Sequence, residues 1–312
     1  MIKDRVDAVG KMQDYIKSHV NDPITLKDLA RSCGLSPWHA SRIFKEFMNK
    51  TPFEYIRAYR LTRAALKLRD EKIKVIDVAF DFVFDTHEGF TRAFSRQFGM
   101  TPREYKRSTP PVQLFIPYHI SVSYRNKLKE KENMEKKTDD TKIETVFVQV
   151  VERPARKMIL KRGKKADGYF EYCDEVGCDI HSFLLSIKEA LFEPIGAWLP
   201  PGMIPKGTSQ YVQGVEVPPD YSRQVPEGYD IIDLKPCKMM IFQGPPFKDE
   251  EFGDAIENLW KVMKTYNPEI YGFSWADEDA PRFQMEPQGY RGYIEGRPVR
   301  EIRQGENQAE AY

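Results

Sequence analysis

The chain repeats itself at a distance of fifty residues. Arg42, Phe44, Thr51, Pro52, Glu54 and Tyr55 return as Arg92, Phe94, Thr101, Pro102, Glu104 and Tyr105. Upstream, at a shift of forty-nine, Asp28, Leu29, Ala30 and Ser36 correspond to Asp77, Val78, Ala79 and Asp85. A period in this range marks a duplicated supersecondary unit. Each copy reads as helix, short turn, helix. Two such copies on one small all-α domain imply two recognition helices, a DNA-reading layout.

Local signals set the expected boundaries. Val6, Val9, Met12 and Ile16 recur at helical spacing within 4–19, and Asn21-Asp22-Pro23 closes that helix. Thr25 with Asp28 is a capping box, Gly34 a tight turn, and Ser36-Pro37 a cap followed by proline at the first helical position. The next helix is predicted over 37–48. Thr51-Pro52 opens another over about 53–69, with Tyr55, Ile56, Tyr59, Ala64 and Leu68 on its inner side. In the second copy Val75, Val78 and Ala79 mark the scaffold helix. Asp85 is the expected cap of the following helix, about 86–98, with Glu88 as its capping-box residue.

Charge is divided along the chain. Residues 1–107 carry 21 Lys and Arg against 14 Asp and Glu, whereas residues 143–312 carry 20 against 28. A basic half beside an acidic half fits a nucleic-acid module joined to a module with another partner. The start, MIKDRVDAVGKM, is too charged for a signal peptide. No run reaches the roughly 18 apolar residues of a membrane span, so a cytoplasmic, non-membrane protein is expected. Cys33, Cys173, Cys178 and Cys237 lack zinc-site spacing, which predicts reduced thiols, no metal and no cofactor.

Between 108 and 142 the composition shifts from Pro110-Pro111 to NKLKEKENMEKKTDD, the signature of a solvated linker or exposed helix. From Ile143 the pattern is α+β. IETVFVQVV, KMIL, PIGAWL, YVQGVEV, IIDL and MMIF read as strands, and His181–Leu191 and Asp249–Tyr266 as helices. A fainter echo at eighty-two residues pairs Pro154, Met158 and Ile159 with Pro236, Met240 and Ile241, consistent with two β-α-β-β halves. The expected organisation is a DNA-binding domain at 1–107, a linker at 108–142 and an effector-binding domain at 143–312.

Residues near the N-terminus of a recognition helix reach base edges. In the first copy these are Trp38, His39, Ser41 and Arg42; in the second, His87, Glu88, Thr91 and Arg92. Arg42 and Arg92 share one slot, and a guanidinium fork discriminates guanine by about 1–3 kcal/mol. Glu88 has two readings, cap or cytosine acceptor. Phe44, Phe47, Phe94 and Phe98 recur at packing spacing and are expected in the core. The helix between the copies spans about 25 Å, which suits two helices held near the groove repeat of about 34 Å.

LKDLARSCGLSPWHASRIFKEF, TPFEYIRAYRL and VIDVAFDFVFDTHEGFTRAFSRQFGMTPREYK resemble the paired helix-turn-helix units of the AraC/XylS family, in the Rob-like subgroup with its DNA-binding domain at the N-terminus. The resemblance covers about residues 4–107. It implies a monomeric seven-helix domain that binds double-stranded DNA and activates transcription alongside RNA polymerase. Its contacts would fall on Trp38, Ser41, Arg42, His87, Glu88 and Arg92. His-Glu-Gly at 87–89 departs from the amide residues common in relatives.

The pattern VQVVERPA, GVEVPP, VPEGYDIIDLKP and MIFQGPP resembles the GyrI-like effector-binding domain. That resemblance implies pseudo-duplicated β-α-β-β halves around a groove for a small-molecule effector, in several relatives a lipophilic cation. Such a site needs aromatic faces and a buried carboxylate. Trp198, Tyr169, Tyr211 and Trp275 are the candidate faces. Among the strand carboxylates Glu216, Glu286 and Glu295, the preferred one is Glu286, with Glu216 also carried forward. Trp260 reads as core of an amphipathic helix. The chain is expected to be a regulator and not an enzyme. The alternatives are a GyrI-like hydrolase fused to a DNA-binding domain, or a constitutive regulator with a C-terminal protein-interaction domain.

Overall fold

A computed structural model describes residues 2–117, 145–177, 179–248 and 251–302. They fall into two units, the first within 1–139 with 186–188 and the second within 140–185 with 189–312. Cys178 lies outside the described residues.

The first unit is helical: α1 (Ile2–Ser18), α2 (Leu26–Cys33), α3 (Pro37–Met48), α4 (Pro52–Asp70), α5 (Val75–Asp81), α6 (His87–Phe98) and α7 (Pro102–Ser108). Thr25, Thr51 and Thr101 open α2, α4 and α7 with capping boxes. Each hydroxyl accepts from the backbone N–H three residues on, and the carboxylate of Asp28, Glu54 or Glu104 accepts back from the threonine N–H. Ser36 caps α3 as the sequence indicates.

At α6 the cap differs from expectation. The hydroxyl of Thr86, not Asp85, accepts from the N–H of Gly89 at 3.0 Å. Glu88 therefore stands at the second helical position, one short of the place from which a carboxylate reaches back to the cap.

The two turns also differ. Gly34 adopts the left-handed conformation at φ 69°, and Val83, in the matching slot, does so at φ 61°. The closing bonds agree, Leu35 N–H to Ala30 O and Phe84 N–H to Ala79 O, both 3.0 Å. A β-branched residue in this region is a conformational outlier.

Val9, Met12, Ile16, Leu29, Ile43, Phe44, Tyr55 and Ile56 form the core of the first copy. In the second, Phe94 packs on Phe90, Phe98 and Tyr105 with ring centroids 4.6–5.6 Å apart. Of the stretch expected as linker, Val112 and Leu114 are buried. Phe115 sits edge-on to Tyr55, and its N–H donates to the Thr62 hydroxyl at 2.8 Å. Residues 118–142 lie outside the described residues.

The second unit runs β1 (Phe147–Arg153), β2 (Arg156–Arg162), α8 (Tyr169–Val176), α9 (Ile180–Leu185), β3 (Ile195–Trp198), β4 (Tyr211–Val217), β5 (Asp230–Leu234), β6 (Cys237–Gln243), α10 (Phe252–Thr265), β7 (Phe273–Trp275), β8 (Arg282–Met285) and β9 (Ile294–Glu301). The helix expected to reach Leu191 stops at Leu185, because the chain there turns to run along β4, with Leu191 N–H donating to Glu216 O.

The strands form one antiparallel sheet in the order β1-β6-β9-β8-β3-β4-β2-β5, with β7 on β9. Arg153 pairs with Cys237 and Arg156 with Leu234, so a single register runs across both bends. Pro154 therefore falls opposite Pro236. Neither can donate a ladder hydrogen bond, and both strands bend there. Leu259 and Met263 of α10 pack on Met240, Phe242, Tyr293 and Val299. Among the described residues no helix is long and apolar enough to cross a membrane.

Candidate functional site

The first turn of α3 carries Trp38 and His39, followed by Ser41 and Arg42. Trp38 is 70% exposed, and the Arg42 guanidinium lies over its ring, 4.9 Å from the centroid. Four residues separate them, so they are neighbours on one helix face. In α6, His87, Glu88 and Arg92 are exposed. Arg92 stands where Arg42 stands, and Glu88 where Trp38 stands. Neither arginine forms an ion pair among the described residues, and the Glu88 carboxylate has no hydrogen-bond partner there. The Thr91 hydroxyl is shielded from solvent and unpaired. The faces of α3 and α6 that do not pack on the phenylalanine cores thus present matched arginines in unlike surroundings.

In the second unit a row of paired positions crosses five strands. Gln213 faces Gly196, Gly196 faces Gln284, Gln284 faces Glu295, and Glu295 faces Phe242. Positions paired in this way share a sheet face. The parallel row Tyr211, Trp198, Arg282 lies beside it. Gly196 has no side chain for a reason: the Tyr211 hydroxyl crosses over it, where an added Cβ would sit 2.0 Å from that oxygen. Gln284 donates to the Tyr211 hydroxyl at 2.8 Å, and its Oε1 lies 2.9 Å from the Tyr293 hydroxyl.

Glu295 is the centre of this cluster and is fully buried. Its Oε1 accepts from the Tyr293 hydroxyl at 2.6 Å and from the indole N–H of Trp260. Its Oε2 accepts from Nε of Arg282 at 3.0 Å and from Nη2 at 2.5 Å. The Arg282 guanidinium lies over Trp198, 4.8 Å from the ring centroid. Burial pushes the phenols of Tyr211 and Tyr293 well above their ordinary range, and the Glu295 carboxylate adds to the effect at Tyr293. A desolvated carboxylate with neutral donors on Oε1, a guanidinium on Oε2 and aromatic faces around it is chemistry that holds a cation, here the chain's own arginine.

The sequence candidates distribute unevenly around this cluster. Trp198 and Tyr211 belong to it, edge to face at 5.1 Å. Trp275 packs beside it against the α10 core, under Arg297 at 4.1 Å. Tyr169 is exposed at the start of α8, edge-on to Phe170. Glu216 is buried but faces the opposite side of the sheet, where Arg153 and Arg156 hold it. Glu286, the preferred carboxylate, is exposed, 3.5 Å from His181 Nε2. Trp260 is not core: it is 45% exposed and aims its N–H at Glu295.

The family description "Helix-turn-helix domain" matches residues 29–108. Over 132 residues the chain is 35% identical to the transcriptional regulator Rob of Salmonella typhimurium, covering 38% of this chain and 46% of Rob. Over 92 residues it is 34% identical to the regulatory protein SoxS of Escherichia coli K12, covering 30% of this chain and 86% of SoxS. The chain belongs to the AraC family.

The match falls on the helical unit and includes α3 and α6. The chain spans a little under half the length of Rob. Among solved structures, SAV2435 bound to tetraphenylphosphonium is 14% identical with a TM-score of 0.33, covering 49% of this chain and 94% of that one. Such a score is too low to establish a shared fold.

Proposed function

We propose that this AraC-type protein is a cytoplasmic transcription activator. Its domain at 1–107 reads one asymmetric stretch of double-stranded DNA as a monomer, and its domain at 143–312 receives a small-molecule effector. RNA polymerase is the further partner. The observation that carries the DNA reading is the pair Arg42 and Arg92, exposed and unpaired in one slot of two helices. The 19-residue α4 between the two copies spans about 28 Å, compatible with placing α3 and α6 in successive major grooves. Trp38, His39, Ser41, His87, Glu88 and Thr91 are the accompanying contacts.

The effector reading rests on the buried Glu295 and its aromatic frame. It takes Glu295 as the carboxylate in place of Glu286, with Trp198, Trp260, Tyr211 and Tyr293 around it. A GyrI-like pseudo-duplicated sheet is supported by the offset of eighty-two. That offset relates Pro154 to Pro236, Tyr211 to Tyr293 and Gln213 to Glu295. At Pro154 the repeat counterpart and the residue opposite in the ladder register coincide, as a twofold axis through that position would require.

Selection of bound sequences from a random DNA pool tests the DNA reading. Two unlike half-sites about one helical turn apart are expected. A palindrome bound by a dimer would count against it.

A further inference from the structure

We propose that Arg282 occupies the cation subsite of the sheet unit, so that the chain carries its own competing cation and only an aryl cation able to displace a stacked guanidinium can act as ligand there. This rests on the reading of the sheet unit as an effector module.

A cationic ligand would need two things from this cluster, a charge partner and an aromatic face. Arg282 already takes both. Its Nε and Nη2 are on Glu295 Oε2, and its plane is over Trp198. The donors on Oε1, Trp260 and Tyr293, are neutral. Arg282 is therefore the residue that balances the charge of a fully buried carboxylate.

The two partners differ in freedom. Glu295 is completely enclosed, whereas the Arg282 side chain is 35% exposed. The guanidinium can swing to solvent; the carboxylate cannot follow. Displacement leaves one buried negative charge, two neutral donors and a bare indole face. A small ammonium is strongly hydrated and has no plane to lay on Trp198. A dication would leave a charge uncompensated. The vacancy thus selects a monovalent cation whose charge is spread over aryl groups. Binding would release Arg282, coupling occupancy to a charged side chain at the surface.

The test titrates full-length protein with tetraphenylphosphonium, following Trp fluorescence and calorimetric heat, in wild type, Arg282→Gln and the double variant Arg282→Gln with Glu295→Gln. Arg282→Gln is expected to bind at least tenfold more tightly than wild type, and the double variant to lose that gain. Equal, tight binding by wild type and Arg282→Gln overturns Arg282 as competitor and leaves the effector reading standing. No binding by either, with a cooperative melt retained, overturns both. Should Arg282→Gln fail to fold, Arg282→Lys keeps a cation without the flat fork. A severalfold gain is then expected, and no gain overturns the proposal.

Discussion

Arg42 lies over the indole of Trp38, whereas Arg92, in the same slot of the second copy, has Glu88 one turn before it instead of an aromatic face. One arginine is pre-oriented by stacking and the other stands beside a free carboxylate. Replacing either arginine by alanine should cost about 1–3 kcal/mol of specific affinity. Trp38→Ala should cost about 0.5–1 kcal/mol through loss of the stacking, and that loss should vanish in the Arg42→Ala background. Competition binding at fixed salt measures both. Additive losses would show that Trp38 acts independently of Arg42.

Glu88→Ala should separate affinity from specificity. With the cap supplied by Thr86, the carboxylate is free to accept from a cytosine amino group, at about 1–3 kcal/mol of discrimination. The variant is expected to bind random DNA more tightly while losing preference at one base pair of the second half-site. An unchanged base preference in a selection experiment would show that Glu88 reads nothing.

Val83→Gly should stabilise the helical unit. A left-handed L-residue costs about 1–2 kcal/mol, and the flexibility of glycine in the unfolded chain returns about 0.5–1 kcal/mol of that. A net gain of roughly 0.5–1 kcal/mol is expected by denaturant unfolding. A loss would mean that the partly buried valine side chain contributes more than its strain takes away.

Acid sensitivity of the helical unit should trace to its capping boxes. Bonds from the Thr51 and Thr101 backbone, and then from their hydroxyls, hold the Glu54 and Glu104 carboxyls below the ordinary value of 4.5. A depressed folded value means that this stabilisation is complete above about pH 4.5 and is lost as pH falls through the lower folded value. The double variant Glu54→Gln with Glu104→Gln should therefore show a shallower fall in melting temperature below pH 4.5. Curves parallel to wild type would exclude these groups from the acid transition.

Gly196→Ala should damage the sheet unit. The new methyl would meet the Tyr211 hydroxyl, forcing the ring off Trp198 and breaking its bond from Gln284. Overpacking of this kind costs about 1–3 kcal/mol, read as a lower denaturation midpoint. Pairing Gly196→Ala with Tyr211→Phe, which removes the clashing oxygen, should recover part of the loss. No recovery would locate the damage elsewhere.

The helical unit was legible because its punctuation is local. A threonine, a proline and an acid within four residues determine where α4 and α7 begin. The same logic misplaced the cap of α6 by one residue, since Asp85 and Thr86 are both good caps and only the position of Gly89 decides between them. In the sheet unit β7 and β8 are only three and four residues long, and β9, though eight residues, is mixed in polarity, so their identity comes from their partners. Glu295 was one of three strand carboxylates because burial is a property of the assembled sheet. Its signal was nonetheless present. Tyr211 and Gln213 recur as Tyr293 and Glu295 at the offset already marked by Pro154 and Pro236. Trp260 read as core from helix periodicity, which is blind to an indole N–H in need of an acceptor.

Because β1 pairs with β6 and β5 with β2, neither 147–217 nor 230–301 owns every strand it needs. A fragment cut between Val217 and Asp230 would leave β1 with no ladder to join. Two copies of that fragment could lend each other the missing strand across a symmetric contact. Under the proposed pseudo-duplication, the sheet would correspond to a strand-swapped dimer whose two chains have been spliced end to end.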